Sequence, residues 1–380
     1  MGEFRFPTTI FEGANTINQI GEIIKEYGSR VLLVGDSLAA QEGGWLQKIK
    51  TMIEDHTHGV ILFDKVDSKS NSDSVNQVAE QGRYARCDVV VGFGGRKTLH
   101  IAKAATFLIS HGGILEDYFL GKKGKGKKIA YLEIPTTPGY IPGFSGDFQV
   151  IDKYDGLKKI LSNDIYADAV VCDPRLSVSL SEDFVKTIGL ETVALCVESF
   201  FAKNSNFMVE TNSLKAIEYI SANLKKSVKD PENIPARNLL MHGAILASIG
   251  LRFSSQGLSY AIAMAINSIY GINQAMAMAV ILPYIMEFNL TTSANKLVFI
   301  CKAFGENVSD ISVVEAAIKA IESVRKLSIE NNIPQRLSEL NIPEEDLIKI
   351  ARISRNYEFL HNLPRPVSRE DILAILSSAF

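Results

Sequence analysis

The strongest chemical signal in the sequence is a glycine turn that joins a short apolar strand to a helix. Two glycines and three polar residues form it: Gly94, Gly95, Arg96, Lys97 and Thr98. Glycines let the backbone approach a pyrophosphate, and the free N–H groups at the start of a helix bind anions. The segment is neither the GxGxxG fingerprint nor a P-loop. By itself it therefore predicts an anion-binding turn without naming the ligand.

A second candidate, Asp36, stands at the end of an early apolar strand. A carboxylate there can accept both hydroxyls of an adenosine ribose and repels a 2′-phosphate, which favours NAD over NADP. The residue also suits an N-cap, because Asp36-Ser37 precedes a helical stretch. The sequence leaves both interpretations of Asp36 open.

The elements that must position these residues alternate between strands and helices. Four apolar runs are typical of strands covered on both faces of a parallel sheet, and they span residues 30–36, 60–63, 88–93 and 129–134. The segments between them carry helical spacing. This alternation predicts an open α/β sheet, which binds ligands beyond the C-terminal ends of its strands.

The pattern changes near Asp173-Pro174, and long helical periods dominate from about Ser181. The predicted helices span residues 185–203, 212–226, 236–253, 260–270 and 275–288. Because residues 261–286 are apolar nearly all round, they predict a buried central helix pair, which Pro283 would kink or end. We therefore expect an α/β dinucleotide-binding domain over residues 1–178 and an all-helical domain over residues 179–380.

Composition narrows the class of protein. The 380 residues carry a formal net charge of −3, and no face is obviously basic, so nucleic acid is not the expected partner. We see neither a signal segment nor about 18 uninterrupted apolar residues, so no membrane partner is expected. The cysteines are far apart and indicate buried thiols in a reducing, cytoplasmic compartment; they are Cys87, Cys172, Cys196 and Cys301.

The order of residues around the glycine turn resembles the GGGKTLDTAKA loop of glycerol dehydrogenases and the GGGSxxDxAK loop of iron-containing alcohol dehydrogenases. Further matches follow in the family's order: Pro135-Thr136-Thr137 resembles PTT, Asp173-Pro174-Arg175-Leu176 resembles DPxL, Gly189-Leu190-Glu191 closing at Glu198 resembles GMD…E, Ile281-Leu282-Pro283 resembles LLP, and residues 362–372 resemble NPRPxTxEDI. The chain is identified as a divergent member of this superfamily, which has the dehydroquinate-synthase-like fold.

This resemblance implies an NAD-binding enzyme that acts on a small alcohol, polyol or aldehyde. It assigns the cofactor to Asp36, the glycine turn and Thr136-Thr137, which lie on the nicotinamide side. It also implies a homodimer, in which an N-terminal edge strand such as Phe4 to Ile10 pairs across two chains.

The metal site that the resemblance implies is degenerate in this sequence. The family holds one divalent ion between its domains with one Asp and two or three His. The corresponding ligand positions are Glu191, Leu195, Tyr260 and Gln274, and the family's further histidine falls at Met264. A leucine and a methionine cannot bind a hard metal, and a neutral tyrosine is a poor ligand. We expect these residues to line one cleft between the domains without an ion.

The cofactor frame departs from the family as well. Arg96 replaces the third glycine, where it could pair with a pyrophosphate or fill the groove that the cofactor enters. His100 replaces an aspartate, and residues 139–143 replace the family's GTGSE segment.

Two functions of different classes remain open. The first is an NAD-dependent oxidoreductase without the family metal, in which Tyr260, Lys158 or Glu191 supplies acid–base chemistry; Lys158 stands where the family has a lysine facing the cleft. The second is a non-catalytic homologue used for ligand sensing or for assembly with a partner. A dehydroquinate-synthase-like lyase is a weaker third reading, because it also needs a metal.

Overall fold

The protein is described from a computed structural model over residues 4–36, 44–162 and 164–380. It divides into two compact units, of which the first ends at Leu180 and the second spans Ser181–Phe380. Every strand that the described residues contain lies in the first unit.

The strands of the first unit form one parallel sheet and one hairpin. In chain order they are β1 (Thr9–Glu12), β2 (Arg30–Asp36), β3 (Gly59–Val66), β4 (Val89–Gly94), β5 (Ala130–Pro135), β6 (Asp147–Ile151), β7 (Lys158–Ser162) and β8 (Ala169–Cys172). The parallel sheet has the order β1-β8-β5-β4-β2-β3, and β6 pairs with β7 in an antiparallel hairpin. Since β2, β4 and β5 are neighbours, their C-terminal ends meet at one edge.

The predicted parallel sheet is confirmed, and its four predicted strands correspond to β2, β3, β4 and β5. Within this chain β1 begins at Thr9 and pairs with β8 in parallel register, and it overlaps the expected segment from Phe4 to Ile10 only at its end. The pairing of that segment across two chains stays a prediction. The hairpin of β6 and β7 was not predicted. Its residues are half polar and carry no continuous apolar run, which is the signal that marks a strand buried on both faces.

Helices cover both faces of the parallel sheet. They are α1 (Ile20–Lys25), α2 (Trp45–Glu54), α3 (Ser72–Tyr84), α4 (Arg96–His111) and α5 (Leu115–Phe119). On one face, α1 and α2 bury their apolar side chains against alternate residues of β2, β4 and β5. On the other face Gly82 of α3 is so close to Ile109 of α4 and Leu32 of β2 that a Cβ on Gly82 would clash with both.

Only helices and turns occur among the described residues of the second unit. The helices are α6 (Glu182–Phe201), α7 (Phe207–Lys229), α8 (Ile234–Arg252), α9 (Leu258–Tyr270), α10 (Gln274–Phe288), α11 (Leu290–Ala303), α12 (Val313–Glu330), α13 (Leu347–Ser354) and α14 (Arg369–Ser378). The predicted central apolar pair is α9 and α10, which pack together and are largely buried. Pro283 does not end the second of them, because α10 continues to Phe288.

Helix α8 is long and apolar enough to cross a membrane by length and composition alone, as is the pair α10 and α11, which bend by 117°. Most of α8 is buried inside the second unit, and the core helix of a globular protein passes the same test.

The carboxylate of Asp173 ties two distant parts of the first unit together. Its Oδ1 accepts a hydrogen bond from the N–H of Arg175 at 3.0 Å, and its Oδ2 accepts one from the N–H of Ile17 at 3.2 Å. The side chain is fully buried and caps the short 3-10 turn that follows β8. The aspartate of the Asp-Pro motif therefore stabilises the turn after β8 and its contact with the segment before α1.

We expect Asp173→Ala to lower the free energy of unfolding by about 2–4 kcal/mol, because the buried N–H of Ile17 and the partly buried N–H of Arg175 lose their acceptor. Urea denaturation of the purified protein measures the change. Asp183→Ala is the matched control: this aspartate is exposed and its side chain pairs only with Lys186 among the described contacts, so its loss should cost under about 1 kcal/mol. Equal destabilisation by the two substitutions would contradict the role given to Asp173.

Candidate active site

The glycine turn lies where β4 passes into α4. Gly94 ends the strand with φ of +150°, a backbone conformation that L side chains rarely adopt, and Gly95 is the N-cap of the helix. The N-cap Gly95 has no side chain to cap α4, and the start of a helix is a place where N–H groups can bind an anion. The N–H of Thr136 donates to the carbonyl of Gly94 at 3.0 Å, which joins the ends of β4 and β5.

Asp36 and Thr98 close around Gly94. The Thr98 hydroxyl donates to Oδ2 of Asp36 over 3.3 Å. A Cβ on Gly94 would lie 2.6 Å from that same oxygen and 3.0 Å from Thr98 Oγ1, so a side chain does not fit there. Asp36 thus stands beside the glycine turn, as the ribose interpretation requires. The alternative, an N-cap for the stretch after Asp36, concerns residues 37–43, which lie outside the described residues.

The two threonines after β5 lie against the same turn. Thr136 and Thr137 are both buried, and Cγ2 of Thr137 is 3.6 Å from the point that a Cβ on Gly95 would occupy. The structure therefore brings most of the predicted cofactor residues together at one edge of the sheet. Whether they bind a dinucleotide stays a prediction.

The two cations of the turn have different surroundings. Lys97 donates from Nζ to the carbonyl of Ser68 at 2.5 Å, and burial lowers its pKa while the charge of Asp67 opposes that shift. This ammonium is held by the loop after β3. Arg96 is half-buried at the first position of α4, and its charge acts on His100 one helical turn later.

His100 is a buried, neutral imidazole. Its Nδ1 accepts a hydrogen bond from the N–H of Gln149 at 3.3 Å, and its Nε2 has no hydrogen-bond partner among the described residues. Burial lowers the pKa of His100 well below its usual range, and the nearby charges of Lys103, Arg96 and Lys158 lower it further. Lys158 begins β7 and is half-buried. The N-terminal part of α4 is thus rich in positive charge.

Two buried ionisable groups that sequence reasoning did not single out hold the loop between β5 and β6. Lys103 donates from Nζ to the carbonyls of Pro142, Ser145 and Asp147 at 2.7, 2.6 and 2.8 Å. Glu133 accepts the N–H of Gly143 at 2.8 Å. The available signal was a lysine inside an apolar helix and a glutamate inside an apolar strand, since charged residues are seldom buried there without partners.

Burial raises the pKa of Glu133, and the charge of Lys103 opposes that shift. The Tyr131 hydroxyl lies 2.6 Å from Oε1 of Glu133 and 2.8 Å from the carbonyl of Leu99. The loop that follows Thr136 and Thr137 is therefore held by hydrogen bonds to the buried side chains of Lys103 and Glu133.

The ligand positions of the implied metal lie on helices of the second unit that pack against one another. Glu191 and Leu195 belong to α6, Tyr260 to α9, and Gln274 begins α10. All four side chains are buried, and the ring of Tyr260 meets Phe359 edge-on with centroids 6.0 Å apart. Their role in catalysis stays a prediction.

These residues do not fit a divalent ion. The described residues contain no group of three or more histidines, cysteines, aspartates or glutamates that could hold one. Leu195 and Met264 present only carbon and a thioether, which are not ligands for hard cations. His100, the buried histidine described above, belongs to the first unit and carries a cationic surrounding that opposes metal binding.

A further ionisable group in the second unit is Glu198 of α6, which is 5% exposed. Its Oε1 accepts the N–H of Ser259 at 2.5 Å, while its Oε2 has no hydrogen-bond partner among the described residues. Burial raises the pKa of Glu198 to about 7, and the nearby groups of Gly257, Ser259 and Tyr260 offset part of the rise.

Comparison with known proteins gives one consistent result for both units. Residues 7–174 match the family model for iron-containing alcohol dehydrogenase, and residues 185–380 match that for the C-terminal part of the Fe-containing alcohol dehydrogenase family. The chain is 26% identical to the 1,3-propanediol dehydrogenase of Klebsiella pneumoniae, with 100% of this chain and 99% of that protein covered. It is 22% identical to the NAD-dependent methanol dehydrogenase of Bacillus methanolicus, with both chains covered in full.

Among solved structures, the chain superposes on a 1,3-propanediol oxidoreductase with a TM-score of 0.95 at 24% identity, and each chain is covered in full. This likeness shows the two-domain fold, with an α/β half followed by a helical half.

The raised pKa of Glu198 predicts a pH-dependent stability. The unfolded carboxyl ionises near 4.5 and the folded one near 7, so the free energy of unfolding falls as the pH rises from about 4.5 to 7 and is level above that. The fall should reach at most about 3 kcal/mol. Glu198→Gln, which cannot ionise, should lack it when urea denaturation is followed from pH 4 to 8.

Glu182→Gln removes an exposed carboxylate from the same helix and is the matched control, which should keep the wild-type profile. Parallel pH profiles for the wild type and Glu198→Gln would show that Glu198 does not titrate as stated.

Proposed function

The chain belongs to the iron-containing alcohol dehydrogenase family, and we propose from this that it interconverts a small alcohol or polyol and its aldehyde with NAD(H), without the family's divalent metal. The observation that carries the proposal is the meeting of the glycine turn, the start of α4 and the paired side chains of Asp36 and Thr98 at one edge of the sheet. One relative, the methanol dehydrogenase of Bacillus methanolicus, is named as NAD-dependent, which supports the choice of cofactor.

Each part of the proposed cofactor site has a distinct task. Asp36 accepts the hydroxyls of the adenosine ribose, and the N–H groups at the start of α4 bind the pyrophosphate. Arg96 adds a charge at the same helix end. Thr136 and Thr137 lie beside the turn on the side where β5 ends. NAD, when bound, supplies the acceptor for the hydride that leaves the alcohol carbon.

Proton transfer in this proposal comes from side chains alone. Alcohol oxidation releases a proton from the substrate hydroxyl, and a positioned base must take it. Tyr260 or Glu191 of the second unit, or Lys158 of the first, performs this step. Without a metal to polarise the substrate oxygen, a hydrogen-bond donor must stabilise the developing alkoxide.

A second candidate function is a non-catalytic homologue that senses a ligand or assembles with a partner. The observation that favours it is that none of the positions at which the family has a histidine ligand carries a histidine in this chain. Binding of NAD(H) without turnover would fit sensing, whereas absence of binding would fit assembly.

We further propose a homodimer in a reducing, cytoplasmic compartment. The position of β1 at the edge of the parallel sheet supports pairing with a second copy, and four buried free thiols support the compartment. Light scattering at micromolar concentration tests the dimer, and a monomer would count against it.

The cofactor assignment predicts tighter binding of NADH than of NADPH. A 2′-phosphate would meet the Asp36 carboxylate, and such like-charge contact costs on the order of one to a few kcal/mol, or roughly tenfold or more in affinity. Asp36→Ala should narrow that difference. Fluorescence or calorimetric titration with both dinucleotides measures it. The absence of NADH binding at millimolar concentration would refute the oxidoreductase proposal and leave the non-catalytic one.

Arg96→Gly separates the two roles that the arginine can have in the same titration. Weaker NADH binding by the variant means that the guanidinium clamps the phosphates. Stronger binding means that the side chain fills the cofactor's groove in the wild type.

The metal-free mechanism predicts that activity survives chelation and depends on the side chain that accepts the proton, for which Tyr260 is the first of the three candidates to test. Elemental analysis should find no stoichiometric zinc, iron or nickel, and prolonged EDTA treatment should leave kcat unchanged. Tyr260→Phe should lower kcat by about 10²-fold or more, because it removes the acid–base group. Tyr219→Phe, a half-buried tyrosine of α7, is the matched control and should leave kcat unchanged. One tightly held ion per chain, with activity lost on its removal, would contradict this mechanism.

A further inference from the structure

Helix α9, which carries Tyr260, begins without a cap of its own. Its N-cap residue is Gly257, which has no side chain to accept the N–H groups of the first turn. Those groups have no partner within the helix, and a buried N–H without an acceptor is costly. The start of α9 is fully buried, so an acceptor must come from elsewhere in the fold.

Glu198 of α6 supplies that acceptor. Its Oε1 accepts the N–H of Ser259 at 2.5 Å, and the backbone groups of Gly257 and Tyr260 also act on the carboxyl. A carboxyl oxygen at this place accepts the N–H groups of the first turn as a local N-cap does. The cap of α9 thus comes from another helix of the same chain, 61 residues away in the sequence.

Gly257 is the residue that admits the carboxyl group. A Cβ at this position would lie 2.4 Å from Cδ and 2.6 Å from Oε1 of Glu198, which is closer than real Cβ contacts allow. The φ of Gly257 is −111°, which any residue can adopt, so the backbone conformation does not require a glycine. The lack of space for a Cβ beside Glu198 does. Gly257 and Glu198 therefore act as one device.

The same device links two acid–base candidates. Glu191 and Glu198 are seven residues apart on α6, so they lie on nearly the same face of that helix. Tyr260 is the third residue of α9, inside the turn that Glu198 holds. A side chain in an uncapped first turn frays with its backbone, whereas one in a capped turn keeps its position.

From these contacts we propose that Glu198 is a positioning residue for Tyr260: it caps α9 from the neighbouring helix α6 and so fixes the tyrosine hydroxyl relative to α6. The catalytic consequence rests on the proposed function, but the positioning does not.

The test uses three variants of the full chain. Glu198→Leu removes the acceptor at similar size, Glu198→Gln keeps an amide oxygen that can accept the N–H of Ser259, and Gly257→Ala keeps the carboxylate but displaces it. Ser312→Ala is the matched control. It removes the cap of α12, a helix of the same unit, and leaves the start of α9 intact.

Amide hydrogen exchange gives the readout that is independent of activity. We expect Glu198→Leu and Gly257→Ala to raise exchange at Ser259, Tyr260 and Ala261 by about tenfold, with Glu198→Gln close to the wild type. Ser312→Ala should raise exchange only at the start of α12. The ring signal of Tyr260, read by NMR on tyrosine-labelled protein, should shift in the first two variants and not in the last two. Unchanged exchange and an unchanged ring signal in Glu198→Leu and Gly257→Ala would overturn the proposal.

Kinetics tests the catalytic consequence. Glu198→Leu should lower kcat by about tenfold or more with the KM for NAD unchanged, and Glu198→Gln should restore kcat to within about threefold. A normal kcat in Glu198→Leu, when exchange at Tyr260 is raised, would overturn the link to catalysis. If the wild type itself has no activity, the proposed function fails, and the exchange and NMR results still decide whether Glu198 positions Tyr260.

Discussion

The close approach of strand ends around Gly94 is the constraint on which the first unit depends. Gly94 brings its backbone within reach of Asp36 and Thr98, and the N–H of Thr136 closes the gap to β5. A side chain at Gly94 would push these groups apart. Because it is absent, the polar ends of three parallel strands and the start of α4 meet at one point, where an anionic ligand can be bound by backbone groups.

Buried ionisable groups hold the backbone in each of the two units. In the first unit Lys103 donates to three carbonyls of one loop, and Glu133 accepts an N–H from the same loop. In the second unit Glu198 accepts the N–H of Ser259 at the start of α9. In each case an ionisable side chain removed from water pairs with backbone groups: Lys103 donates to carbonyls, whereas Glu133 and Glu198 accept from N–H groups.

The protein keeps the family's fold while its metal-ligand positions carry different chemistry. Leu195, at one of the predicted ligand positions, and Met264, at the predicted place of the family's further histidine, are both buried in the second unit. In the proposed metal-free function, the chemistry at this place relies on proton donors and acceptors such as Tyr260 and Glu191. This requirement makes the position of each donor more important, because a hydrogen bond stabilises a developing charge only within a narrow range of distance.

The sequence by itself determined the fold class, the family, four of the eight described strands and five of the nine described helices of the second unit, because continuous apolar runs and 3.6-residue periods are local properties of the chain. It also predicted which residue types stand at the family's metal-ligand positions. The strands β1 and β8 and the hairpin of β6 and β7 were not predicted, because strands of four or five residues are defined by their partners in the sheet. Only the tertiary structure showed that Lys103, Glu133 and Glu198 are buried and what they hold. Their partners are backbone groups 10 to 61 residues away along the chain, and no local pattern records which carbonyl or N–H lies beside a side chain after folding.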